Sequence, residues 1–351
     1  PDKRVLTLTQ GIGTTAAITP WNFPIAMITR KVGPALAAGC PMILKPAEAT
    51  PLCALALEYL ALQAGLPENL FRVVPTNDPV GVGKLLCSHP VIRKLSFTGS
   101  TAVGKLLLEQ CAGTVKRTSM ELGGNAPFIV FDDADLDKAI DGIMVAKFRN
   151  AGQTCVCANR ILVQDGIYDA FLARFVRRVA ALRLGDGADP ETQIGPLIDR
   201  RAVAKVRSLI DGAVAEGASL ATGGVSHPAG ENFVAPTILT GVTPDMDIAR
   251  SEIFGPVASV IRFATEAEAV AIANDTPYGL AAYIYASGMA RIWRVMEQLE
   301  YGIIGVNEGV ISTEVAPFGG MKESGLGREG SRHGITDYLE LKYVLLGGIA
   351  A

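Results

Sequence analysis

The feature that most constrains the fold of this 351-residue chain is its alternation of short apolar runs with helix-length stretches. Residues 15–19, 42–44, 71–74, 94–97 and 127–131 have the length and apolar content of buried strands. Residues 26–38, 52–64, 80–86 and 102–111 between them read as helices. Parallel strands need long crossovers, usually helical, so this spacing predicts a doubly wound parallel α/β sheet. A second α/β series follows from Ala134, with helices at 135–148 and 167–182 and strands at 233–239, 258–263 and 281–285. The Gly-, Asp- and Pro-rich stretch 186–196 reads as a surface loop. The expected division is an N-terminal strand segment at 1–13, a first α/β domain at 14–123, a second at 124–325 and a C-terminal tail at 326–351.

Composition narrows the function class. The chain is 49% apolar and 19% charged, with a formal net charge of -3 and no Lys/Arg block, which argues against nucleic acid as a partner. Apolar runs stay below the ~18 residues of a membrane span. The six cysteines are scattered rather than spaced as a disulfide framework, which predicts a reducing cytoplasm. No Cys/His pairs have zinc spacing, so no metal is expected. Pro1 is not an initiator methionine, and 1–10 reads as a strand entering in mid-fold, as in a fragment or processed product.

Several short motifs carry chemistry. Cys155 lies in the polar loop Gly152-Gln153-Thr154-Cys155, with Arg149 upstream and Cys157 two residues on. Glu121 precedes a glycine pair in Met120-Glu121-Leu122-Gly123-Gly124-Asn125, which gives a nucleophile and a candidate base. Phe97-Thr98-Gly99-Ser100-Thr101 marks a strand, turn and helix start, where free N–H groups and a positive dipole end suit a phosphate. Its glycine spacing is G-x-x-x-x-G, so alone it is weak. Lys45-Pro46-Ala47-Glu48 ends an earlier strand, at the edge where open α/β sheets bind ligands. Two prolines bracket Trp21-Asn22-Phe23, and the Asn22 amide could donate to an oxyanion. Glu252-Ile253-Phe254-Gly255-Pro256 adds an acid and an aromatic ring. The three histidines, His89, His227 and His333, lie outside every motif.

These motifs in this order resemble the NAD(P)-dependent aldehyde dehydrogenase superfamily, over essentially the whole chain. TPWNFP (19–24), KPAE (45–48), FTGSTAVG (97–104), MELGGNAP (120–127), GQTC (152–155), EIFGP (252–256) and PFGGMKESGLGREG (317–330) carry the match. Full members carry a further stretch before the position of Pro1, which adds to the cofactor domain. The resemblance implies Cys155 as nucleophile, Asn22 with the Cys155 backbone N–H as oxyanion donors, and Glu121 as base for thioester hydrolysis. It implies NAD, with NADP possible, held by Lys45, Pro46, Ala47 and Glu48 at the adenine ribose. Gly99 and Ser100 would hold the diphosphate and Glu252 the nicotinamide ribose, with Trp21, Asn22, Leu122 and Phe254 lining the path. A homotetramer is implied, with the strand-like 337–346 tail pairing with a neighbouring subunit and Val5–Thr9 joining the same small sheet.

Within the superfamily the chain is most similar to succinate-semialdehyde dehydrogenases. Arg30 and Arg149 suit bidentate binding of the substrate's acid end, with a hydroxyl near Ser312. Cys155 and Cys157 resemble a pair that some relatives close reversibly. Three alternatives stay open here. Glutarate semialdehyde is one methylene longer, worth only ~1–3 kcal/mol in discrimination. A thiol hydrolase would use Cys155 and Glu121 without a dinucleotide. A catalytically silent protein would keep the fold alone.

Overall fold

The computed structural model describes residues 2–225 and 230–348, so His227 lies outside the described residues. The chain divides into two compact units, 1–122 with 313–319 and 325–351, and 123–312 with 320–324.

The first unit opens with β1 (Arg4–Gly11) and then alternates β2 (Thr15–Ile18), α1 (Pro24–Ala37), β3 (Met42–Lys45), α2 (Pro51–Gln63), β4 (Phe71–Val73), α3 (Pro79–Ser88), β5 (Lys94–Thr98), α4 (Thr101–Ala112) and β6 (Arg117–Glu121). Three of its helices begin at proline, whose fixed φ and missing N–H suit the first helical turn. The parallel strands run β4-β3-β2-β5-β6, so the order reverses between β2 and β5. Successive β2 residues point to opposite faces. Ala16 and Ile18 join a core with Leu86, Leu95 and Leu107 from the α3 and α4 side. Ala17 joins another with Ile28, Val32 and Ala54 from the α1 and α2 side. That two-sided burial is why these strands read as nearly continuous apolar runs.

The second unit carries β7 (Ala126–Val130), α5 (Leu136–Phe148), β8 (Ala158–Gln164), α6 (Tyr168–Ala180), α7 (Arg200–Ala215), β9 (Ser219–Thr222), β10 (Thr237–Thr240), α8 (Asp247–Arg250), β11 (Val257–Phe263), α9 (Glu266–Asn274), β12 (Tyr278–Gly279), β13 (Ala281–Tyr285), α10 (Met289–Gln298), β14 (Ile303–Val306) and β15 (Met321–Lys322). Its sheet runs β14-β13-β7-β8-β11-β10-β9, parallel except for β9. The strand read at 233–239 begins at Thr237, because Pro236 has no N–H for the ladder.

The chain then returns to the first unit. β16 (Gly325–Leu326) pairs antiparallel with the end of β6, and β17 (Leu339–Leu346) pairs with β1 along its whole length. Pairing with β6 and the Phe318–Glu329 bridge place 313–319 and 325–348 with the first unit. The β1–β17 ribbon leaves Val5, Leu8, Leu341 and Tyr343 exposed. No helix among the described residues is long and apolar enough to cross a membrane.

Candidate active site

In the first unit, the C-terminal ends of four parallel strands collect most of the expected residues. Ile18, the last residue of β2, stands opposite Lys45 on β3 and Phe97 on β5, and Thr98 stands opposite Glu121 on β6. The Thr19–Phe23 turn, with Trp21 and Asn22 half-buried, leaves β2 at the point where strand order reverses. Open α/β sheets bind ligands at that position. Ser100 caps α4, accepting from the Val103 N–H at 3.4 Å. A Cβ on Gly99 would lie 2.4 Å from the Phe97 ring, so the turn requires glycine. Lys45 is buried, donates to the Pro46 carbonyl at 3.1 Å and pairs with the more exposed Glu48. Burial pushes the Glu48 carboxyl up, but the Lys45 hydrogen bond, a backbone hydrogen bond and the Lys45 charge together outweigh it, so Glu48 ends below its ordinary range.

The dinucleotide is tested by unsatisfied groups at this edge. The hydroxyls of Thr19 and Thr98, just beyond β2 and at the end of β5, are buried without hydrogen-bond partners. Buried polar atoms are normally paired, so two orphans beside the strand reversal point to an occupant with polar groups. With a buried cation on β3 and a capped helix start after β5, the donor set fits a phosphate-bearing dinucleotide.

Glu121 ends β6 and is 3% exposed. Neither carboxylate oxygen has a hydrogen-bond partner. Burial pushes its carboxyl well above the ordinary range, and the Glu329 charge adds to this against the cations of Lys31, Arg30 and Arg328. Sequence reasoning missed Lys31, Ser96 and Glu329. Lys31 is fully buried, pairs with Glu329 and donates to Ser96 Oγ at 3.0 Å. The signal was present, because Lys31 falls on the apolar face of α1 between Ile28 and Ala35. Arg30 stacks over the Phe318 ring at 4.2 Å, and its buried Nη1 has no hydrogen-bond partner. A Cβ on Gly319 would lie 2.9 Å from Glu121 Oε1, which explains one glycine of the Gly-dense loop.

In the second unit the thiol loop sits at the opposite polarity, before the N-terminal ends of β7, β8 and β11. Asn150, Ala151 and Gly152 hold φ of 54°, 54° and 75° in succession. Left-handed backbone at a non-glycine residue costs about 1–3 kcal/mol and clusters at functional sites. Three loops interlock through glycine. A Cβ on Gly152 would lie 2.2 Å from the Gly255 carbonyl, and one on Gly124 would lie 2.3 Å from the Cys155 carbonyl. Gln153 ties the loop down, donating to the Asn150 carbonyl at 3.1 Å and accepting from the Ile198 N–H at 2.9 Å. The buried Tyr283 hydroxyl donates to the Val156 carbonyl at 2.8 Å. Cys155 is half-buried at the tip of this frame.

Glu252 accepts from the Gly124 N–H at 3.0 Å, and burial pushes its carboxyl up to about 7. Phe254 holds φ of 56°, a second strained position. Arg149 is exposed at the end of α5, and Ser312 is half-buried at the last position before the chain leaves this unit. Cys157 is 2% exposed and stands as a thiol, with Lys147 Nζ 3.3 Å from its sulfur. Lys147 is itself fully buried and donates to Asn159 Oδ1 at 3.0 Å, a partner the sequence reading did not identify.

Comparison with known proteins accords with this arrangement. The aldehyde dehydrogenase family model matches residues 1–344. The chain is 59% identical to a succinate-semialdehyde dehydrogenase [NADP(+)] of Escherichia coli strain K12, covering 99% of this chain and 72% of that protein. It is 58% identical to a glutarate-semialdehyde dehydrogenase of Pseudomonas aeruginosa, with the same coverage. A crystal structure of an NADP-dependent enzyme of E. coli superposes with a TM-score of 0.97 at 59% identity, over 99% of this chain and 72% of that one. The chain belongs to the aldehyde dehydrogenase family.

Proposed function

We propose that the protein oxidises a short aldehyde bearing a terminal carboxylate, with succinate semialdehyde as the preferred substrate, to the dicarboxylate. The observation that carries the acid-end reading is Arg30, whose buried Nη1 lacks a hydrogen-bond partner although its guanidinium is fixed over Phe318. A guanidinium with an unused donor fits a carboxylate. Arg149, exposed beside the thiol loop, is the second cation, and Ser312 supplies a hydroxyl. The similarity to enzymes named for succinate and glutarate semialdehyde supports the same class.

Cys155 attacks the aldehyde carbon, and its sulfur becomes bonded to a tetrahedral carbon bearing an oxyanion. The Asn22 amide and the Cys155 backbone N–H hold that oxyanion. A dinucleotide bound at the strand edge would supply the hydride acceptor for the oxidation that leaves a thioester on Cys155. Glu121 then takes a proton from water, which attacks the thioester carbon and releases Cys155. A carboxyl made more basic by burial suits that task. Lys45, Pro46, Ala47 and Glu48 would hold the adenine ribose, Gly99 and Ser100 the diphosphate, and Glu252 the nicotinamide ribose. Trp21, Leu122 and Phe254 would line the cofactor path. NAD is favoured over NADP, because Glu48 would accept from a ribose 2′-hydroxyl and repel a 2′-phosphate. The NADP(+) in the name of the E. coli relative is the competing observation, and the ratio of kcat/KM for the two dinucleotides decides. The exposed β1–β17 ribbon suits association into a homo-oligomer, a tetramer by resemblance. Six cysteines without a disulfide suit the cytoplasm.

The test compares kcat/KM for succinate semialdehyde and butanal in wild type, Arg30→Ala and Arg149→Ala. Charge-assisted bonds are worth ~1.5–3 kcal/mol each, so the wild type should favour the semialdehyde by about one to two factors of ten per arginine. Each variant should lose that preference by hurting the semialdehyde. Equal efficiency on both aldehydes in the wild type leaves a general aldehyde dehydrogenase.

A further inference from the structure

Lys147 occupies a position that α5 otherwise reserves for apolar side chains. It is the penultimate residue of that helix and lies on its buried stripe, four residues after Ile143 and seven after Ile140. It is fully buried, and among the described residues its Nζ meets only Cys157 Sγ at 3.3 Å and Asn159 Oδ1 at 3.0 Å. A buried amine without a carboxylate partner is costly, and methionine would fill the same space without that cost. The amine therefore answers to something other than packing. The Lys147 carbonyl accepts from the Cys157 thiol at 3.5 Å. Burial pushes that thiol up, so it keeps the proton it donates. The same carbonyl lies 3.2 Å from a Cβ built on Gly152. Lys147 thus holds position 157 through both its amine and its carbonyl, borders position 152 and reaches Asn159 at the start of β8. Between positions 152 and 157 stands Cys155, in the loop that carries the left-handed Asn150, Ala151 and Gly152. Such backbone persists only where its surroundings over-determine it. Gln153 and Tyr283 supply some of those constraints, and Lys147 supplies one on each side of Cys155.

We propose that Lys147 is a positioning residue for the nucleophile. Its amine fixes the Cys157 sulfur and the Asn159 amide, and through them fixes where the Cys155 thiol stands, two residues before Cys157. The inference rests on Cys155 as the attacking thiol, and it assigns Lys147 no contact with the aldehyde. An attacking atom must stand about 3–3.5 Å from the carbon it attacks, and a misplacement of ~1 Å costs about a hundredfold in rate. A lysine whose hydrogen bonds set the far side of the loop therefore acts on kcat, and acts equally on every aldehyde.

Lys147→Met keeps the stem and removes the amine. NADH formation is measured with succinate semialdehyde and with butanal, beside the unfolding temperature of each chain. The kcat should fall about ten- to a hundredfold, by the same factor for both aldehydes, with KM for NAD unchanged. The unfolding temperature should hold or rise, because an apolar chain replaces an unpaired buried amine. Cys157→Ala removes the amine's partner and should give a similar loss. Cys157→Ser keeps an acceptor for the amine and a donor for the carbonyl, so its loss should be smaller. The Lys147→Met/Cys157→Ala double variant should lose no more than the worse single variant. A wild type inactive on both aldehydes overturns the function proposed above, whereas an active wild type matched by Lys147→Met overturns this inference alone. A loss confined to the semialdehyde also overturns it, since Lys147 would then serve the acid end. Losses that multiply in the double variant, or an unfolding temperature that falls with the activity, overturn it as well. Should Lys147→Met fail to fold, the Cys157 variants decide, and wild-type kcat in Cys157→Ala refutes the positioning role.

Discussion

Glu121→Gln should stabilise the protein while stopping its turnover. Glu121 is 3% exposed, both its oxygens lack partners, and Glu329 shares its surroundings. A raised carboxyl holds its proton more tightly in the folded chain than in the unfolded one. Between the ordinary carboxylate range and that raised value the folded state binds more protons, so stability falls as pH rises. The carboxyl's favourable contribution is complete below the unfolded pKa and lost as pH climbs through the folded one. Glutamine does not titrate, so its advantage should be near zero at pH 4.5 and grow with pH. It should reach about 1–3 kcal/mol, the cost of a buried unpaired polar group. Urea unfolding can be followed in the first unit alone, because the two tryptophans, Trp21 and Trp293, fall in different units and Trp293→Phe leaves Trp21 as the reporter. Rapid-quench mass spectrometry of the same variant should show an acyl adduct on Cys155 that fails to clear. A glutamine variant less stable than wild type at pH 8, or a difference independent of pH, would refute the burial argument. Absence of the adduct would refute the assigned role.

Three further outcomes follow from the same geometry. Gly124→Ala puts a Cβ 2.3 Å from the Cys155 carbonyl, so the thiol loop must shift. At ~1–3 kcal/mol for overpacking, kcat should fall by about one to two factors of ten with an unchanged circular dichroism spectrum. Glu252, pushed up to about 7, is protonated below that pH, so NAD affinity read by fluorescence titration should weaken from pH 8 to pH 6. Glu252→Gln should flatten that dependence. Tyr343→Asp places a charge on the exposed ribbon without touching either sheet core, and light scattering should then show a smaller assembly with its secondary structure intact.

The fold was legible where burial on both faces left long apolar runs. β2, β3, β5 and β13 fall within a residue of their sequence positions, because alternation and flanking turn residues mark them independently. β6 was not legible, since Arg117-Thr118-Ser119-Met120-Glu121 has four polar residues in five and is a strand because β5 supplies its partner. The return of 313–319 and 325–351 to the first unit was equally hidden. It depends on Gly325–Leu326 pairing with Met120–Glu121, a contact between segments some 200 residues apart that no local pattern encodes.

At the site, the sequence reading named the residues proposed to do chemistry and missed those that constrain them. Cys155, Glu121 and Glu252 sit in short motifs whose composition announces a function. The glycines of those motifs were visible as glycines but not as contacts. Gly124 is required by the Cys155 carbonyl and Gly152 by the Gly255 carbonyl, so the three loops that frame the thiol are matched through backbone rather than through side chains. Lys31 and Glu329 were hidden for a different reason, because a buried ion pair joins two chemically ordinary residues that are distant in sequence. Lys31 carried a local sign, a charge on an apolar helix face, which requires a partner because an isolated buried ammonium is too costly. Glu329 carried none, since it stands in a glycine-rich segment where any charge would pass as solvated. A buried cation can therefore be predicted from helix periodicity, whereas its counter-charge is found only once the chain has folded back onto it.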